Sequence, residues 1–112
     1  MITTFLKFNN MEKATVIEMV LFKVNEGIDI EFAKKELIKV NEFLAEQEGF
    51  LSRKISISDE GQFLDLVYWT DMNSAMAAAN KVMQNTDLLK IFSIIDEKTQ
   101  LFKHFTIFND TE

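Results

Sequence analysis

Four ionisable side chains fall on strand positions whose alternate neighbours are mainly apolar. Glu18 lies between Val16 and Val20, Arg53 between Leu51 and Ile55, Asp65 between Phe63 and Val67, and His104 between Phe102 and Thr106. Charges on such faces either pair with one another or meet a ligand, because an unpaired buried charge is costly. His104 is the single histidine of the chain. A carboxylate beside it, such as Glu18, fixes the imidazole tautomer and raises its basicity, as a general base requires. The plainer reading of the two is a buried structural pair. Arg53 and Asp65 most simply neutralise each other, yet an arginine fork also receives a ligand carboxylate or enolate through two parallel hydrogen bonds. Trp69, next to Met72 and Met76, reads first as core. As a pocket wall it suits a flat aromatic or a long acyl chain, its indole N–H needs a partner when buried, and flexible thioethers line adaptable apolar pockets.

Several other chemistries are excluded or disfavoured. The chain has no cysteine, so disulfides, thiolate catalysis and cysteine–metal sites are absent. One histidine and no metal-binding motif leave no expected metal site. Three glycines make a phosphate-cradling loop untenable. A formal charge of −6 with no basic cluster argues against nucleic acid as a partner. No apolar run reaches the roughly 18 residues of a membrane span, and residues 2–8 are too short for a signal peptide. A cytoplasmic protein without membrane attachment is expected.

The elements that must position these residues follow from periodicity. Residues 1–13 read as an N-terminal extension, and residues 14–110 as one domain, since 112 residues leave no room for a second core. Residues 14–24 form a strand with Val16, Glu18, Val20 and Phe22 on one face and Ile17, Met19 and Leu21 on the other. Asp29 caps a helix that runs to about Gln47, with Ala33, Leu37, Val40 and Leu44 as its apolar stripe. Residues 50–58 and 62–70 make a hairpin whose loop ends in Gly61. Its register places Ile55 opposite Asp65, Arg53 opposite Val67 and Leu51 opposite Trp69. A second helix presents Met72, Met76, Ala79 and Met83, a shorter one spans 86–94, and residues 97–108 close the chain as a strand.

Strand, helix, strand, strand, helix, strand is the split βαβ order of ferredoxin-like α+β folds, with one antiparallel four-stranded sheet and helices on one face. The first strand then neighbours the last, and Glu18 can meet His104. Ile17, Met19, Leu21, Leu64, Leu66 and Tyr68 leave the other sheet face apolar as well. A second copy of the same sheet is the simplest cover, so a homodimer through sheet-to-sheet packing is expected.

Taken together, Val16-Ile17-Glu18-Met19-Val20, Gly49-Phe50-Leu51-Ser52-Arg53, Asp65-Leu66-Val67-Tyr68-Trp69 before Asn73-Ser74-Ala75, and Lys103-His104-Phe105 carry a likeness. The chain resembles the dimeric α+β barrel superfamily, and within it the antibiotic-biosynthesis-monooxygenase-like group. The resemblance implies a dimer with helices outside a two-sheet barrel. It also implies a ligand cavity between sheet and helices, lined by the face bearing Arg53, Asp65 and Trp69. Some members oxygenate polycyclic phenols without metal or flavin, and others degrade haem. The haem degraders use a Trp that Trp69 matches and a His on the following helix, where this chain has Ala77-Ala78-Ala79. The haem reading therefore lacks its ligand, and no cofactor is expected.

Two functions compete. In the first, Glu18 and His104 abstract a proton from an apolar, enolisable small molecule, Arg53 steadies the anion, Trp69 walls the pocket, and cofactor-independent oxygenation or isomerisation follows. In the second, Arg53 holds the head group of a fatty-acid-like carboxylate and apolar side chains hold its tail. A ligand-free scaffold of satisfied pairs is the remaining alternative.

Overall fold

Alternation of apolar side chains builds the sheet on which everything else rests. The computed structural model describes residues 13–111; the expected extension lies outside them except for Lys13. Strands β1 (Val16–Phe22), β2 (Phe50–Ile57), β3 (Phe63–Trp69) and β4 (Leu101–Thr106) form one antiparallel sheet in the order β2-β3-β1-β4. Along β3 the pattern is strict: Phe63, Asp65, Val67 and Trp69 are buried, while Leu64, Leu66 and Tyr68 are half-buried on the reverse. The helices α1 (Ile30–Ile38), α2 (Val40–Ala45), α3 (Met72–Val82) and α4 (Thr86–Phe92) complete the α+β ferredoxin-like arrangement. No helix among the described residues is long and apolar enough to cross a membrane.

The hairpin turns as its sequence requires. Gly61, at φ +84°, donates its N–H to the Ser58 carbonyl, and Ser58 N–H bonds the Gln62 carbonyl at 2.8 Å. Its register holds from Ile57–Phe63 to Ser52–Tyr68 and then shifts. A bulge between Phe50 and Ser52 leaves Phe50, and not Leu51, opposite Trp69. The Phe50 ring consequently meets the indole edge-on, 5.9 Å away at 77°. Gly49 enters this strand at φ +83°, and a Cβ there would collide with the Ser74 side chain. Only glycine lets the chain pass so close to the start of α3.

Three other expectations are corrected. The helix from Asp29 is not continuous: Lys39 N–H reaches back to the Glu36 carbonyl, a tightened turn that separates α1 from α2. The stripe survives because Ala33, Leu37, Val40 and Leu44 all remain buried. Residues 97–99 are a 3₁₀ turn and not strand, because the Asp96 side chain accepts from Lys98 N–H. On α3 the buried residues are Ala75 and Ala78, whereas Met72, Met76 and Met83 are exposed. The bulk of Trp69, fully buried beneath this helix, leaves room for methyl groups and not thioethers.

Candidate functional site

Strands β1 and β4 bring the carboxylate and the imidazole together. Glu18 stands directly opposite His104 in the ladder, and His104 Nε2 lies 3.3 Å from Glu18 Oε1. Both side chains are largely shielded, at 15% and 16% exposure. With Glu18 ionised, Nε2 carries the proton and donates it, so the lone pair of the ring sits on Nδ1. Phe102, two residues earlier on the same face, sets its ring 5.2 Å from the imidazole at 59°. Phe102 is itself 45% exposed and Thr106 is exposed, so the wall is open along the outer flank of β4.

Trp69 supplies a further polar group. It is 1% exposed, and its Nε1 has no hydrogen-bond partner among the described residues. The indole N–H is close enough to Glu18 to favour the carboxylate form, yet does not close a hydrogen bond to it. A buried donor left in this state is an uncommon and costly feature.

Burial pushes the Glu18 carboxyl above its ordinary value of 4.5; His104 and then the indole N–H pull it partway back, and the Asp65 charge adds to the rise. The sign of the resulting stability effect is set by burial. Below the ordinary value Glu18 is neutral both folded and unfolded, and its contribution is fully present. As pH climbs through the raised folded value, the native state must hold a desolvated charge and that stability is lost. Relative to Glu18→Gln, the protein should gain in urea midpoint as pH falls through this window. A difference that stays flat, or shrinks on acidification, would contradict the assigned cause.

The Arg53–Asp65 pair is complete in itself. Arg53 Nε donates to Asp65 Oδ1 at 2.9 Å and a terminal nitrogen donates to Oδ2 at 2.6 Å. The other terminal nitrogen donates to the Leu37 carbonyl at 2.7 Å and to Asn41 Oδ1 at 2.9 Å. The arginine side chain is 4% exposed. It therefore locks the hairpin to the α1–α2 junction.

Comparison with solved structures identifies the architecture. SnoaB from Streptomyces nogalater, a cofactor-independent oxygenase studied in a mutant form, matches with a TM-score of 0.72 at 15% identity, over 87% of this chain and 96% of that one. ActVA-Orf6 of Streptomyces coelicolor, a monooxygenase in complex with Nanaomycin D, matches at 0.63 and 14%, over 88% and 92%. A conserved protein from Methanosarcina mazei Go1 matches at 0.63 and 15%, over 83% and 93%. This chain has their fold. No protein-family model and no curated protein matches the sequence. Identities this low carry the fold and leave the reaction to the residues.

Within this fold the anticipated site divides. Glu18, His104 and Trp69 share the helix-side wall, and Asp65 influences Glu18 from β3. Arg53, expected as a ligand anchor, has its donors engaged and shielded. Asp65 accepts both arms of that arginine and has the same structural task. Met72 and Met76, expected beside the indole, stand outward at 37% and 46% exposure because the alanines take the inner face. Two recesses among the described residues lie elsewhere. One, about 230 Å³, is bordered by Gln47, Asn73, Ser74 and Lys81; the other, about 150 Å³, by Lys34, Ile38, Ile55 and Phe63. Neither touches Glu18, His104 or Trp69. Asn41 and the Leu37 carbonyl were missed in the sequence; a polar residue flanking an apolar stripe was the one available signal, and it is weak. No cluster of three His, Asp or Glu suited to a metal occurs among the described residues.

Proposed function

We propose that this protein is a cofactor-independent oxygenase or isomerase of an apolar, enolisable small molecule, with His104 as general base and Glu18 holding its tautomer. The observation that carries the reading is the Glu18–His104 contact at 3.3 Å. The unpartnered Trp69 N–H on the same wall and the fold shared with oxygenases support it further. His104 Nδ1 takes a proton from an activated methylene or phenol, and the resulting enolate is electron-rich enough to reduce O₂. For a methylene the balance closes without an added reductant: one oxygen atom becomes the new carbonyl, and the other leaves as water with both hydrogens. The binding-only alternative loses its anchor, since Arg53 has no free fork to offer a carboxylate.

We further propose that residues 14–110 act as one domain in a homodimer. Ile17, Met19, Leu64 and Leu66 are only half-buried on the uncovered sheet face, and Leu101 and Phe105 are each 44% exposed there. A monomer in sedimentation at micromolar concentration would remove this part of the proposal.

An anthrone, a tricycle with one enolisable methylene, provides the test of activity. Purified protein should accelerate hydrogen–deuterium exchange at that methylene under nitrogen, and O₂ uptake with carbonyl formation in air. No acceleration of either, across a set of anthrones and hydroxynaphthalenes, would refute the reading.

A further inference from the structure

We infer that the wall formed by Glu18, His104 and Trp69 selects uncharged substrates, and that a substrate carboxylate is rejected there. The inference rests on the proposed function of that wall and narrows its substrate class. It begins from the charges present. Arg53 stands on the same face of the sheet, but two of its nitrogens hold Asp65 and the third holds the Leu37 carbonyl and Asn41. Of its five N–H donors, four are thus engaged, and the side chain is withdrawn from solvent. It has no bidentate face left for a ligand.

Among the described residues, no lysine of the sheet stands on this face. The lysines of the sheet, Lys54 and Lys103, occupy register positions opposite Leu66 and Met19, on the reverse face; Lys54 sits over the Tyr68 ring. The wall itself carries Glu18, with the Asp65 charge still acting on it. Protonation of His104 does not reverse the balance, because Nε2 already faces the Glu18 carboxylate and the pair sums to zero. With Glu18 ionised, the charge on the wall is therefore negative or neutral. A carboxylate moved from water onto this wall would lose hydration, gain no counter-ion, and meet at least one like charge. A neutral isostere meets none of these penalties.

The test uses a hydroxynaphthoic acid and its methyl ester, which share a ring system and differ in charge. Calorimetric titration of the whole protein at neutral pH gives the two affinities. Fluorescence of Trp69, the one tryptophan of the chain, reports whether binding occurs at this wall. The ester should bind ~100-fold more tightly than the acid, a ratio equivalent to two tenfold steps in affinity. Glu18→Gln, which removes the wall's own negative charge, should narrow that gap by ~10-fold. Equal affinity, or preference for the acid with Trp69 responding, overturns the selectivity and leaves the proposed reaction standing. Absence of binding by both compounds overturns the ligand wall itself, and the selectivity with it.

Discussion

Asp65→Ala should lower the unfolding free energy by about 3–5 kcal/mol, read from urea denaturation. The change leaves the Arg53 guanidinium buried, at 4% exposure, without its counter-ion. Contacts to the Leu37 carbonyl and Asn41 remain, but neither carries a charge. For a domain of this size the loss is a large part of a total of roughly 5–15 kcal/mol. Arg53→Met combined with Asp65→Leu should cost less than either single replacement, because no charge is then stranded. What remains is the loss of the arginine's bonds to the Leu37 carbonyl and Asn41, about 1–3 kcal/mol. A cost below ~1 kcal/mol for Asp65→Ala would mean that water reaches the guanidinium, and the pair would return as a candidate ligand anchor. The experiment therefore also bears on the fatty-acid-like alternative.

His104→Ala should reduce kcat for methylene exchange by ~10²–10⁴-fold, the range removed with a positioned general base. The protein should remain folded, since the imidazole lies at the open flank of β4 beside an exposed Phe102 and supports no core cluster. Circular dichroism and the urea midpoint provide that control. Glu18→Gln should cost less, ~10-fold in kcat with little change in KM, because it acts on substrate through the imidazole. Unchanged turnover in His104→Ala would dismiss the base. Equal losses in KM and kcat for Glu18→Gln would show that the carboxylate contacts substrate directly.

The two halves of the wall were unequally legible. The meeting of Glu18 with His104 follows from parity along β1 and β4 once the sheet order is given, and that order follows from the succession of strands and helices. The nearness of Arg53 to Asp65 follows likewise from a hairpin pinned at Gly61. The inner face of α3 was not legible. Its sequence offers two apolar stripes, one of methionine and one of alanine, and hydrophobic periodicity cannot rank them. The volume of Trp69 beneath the helix decides for alanine, and Met72 and Met76 leave the site as a result. The pairing of Leu51 with Trp69 failed for a similar reason: the bulge that replaces it has no unambiguous marker in the sequence.

The amino-acid sequence alone determined the hairpin register up to the bulge and the parity that puts Glu18 and His104 on one sheet face. Both depend on a two-residue alternation and a tight turn, which are local properties of the chain. Only the tertiary structure decided which charge is free. Arg53 is consumed by a carbonyl and an amide on α1 and α2, partners 16 and 12 residues away. Hydrogen-bond saturation of that kind depends on how separate elements dock. The chain thus specified four polar groups on one face, and packing withdrew two of them into a structural lock.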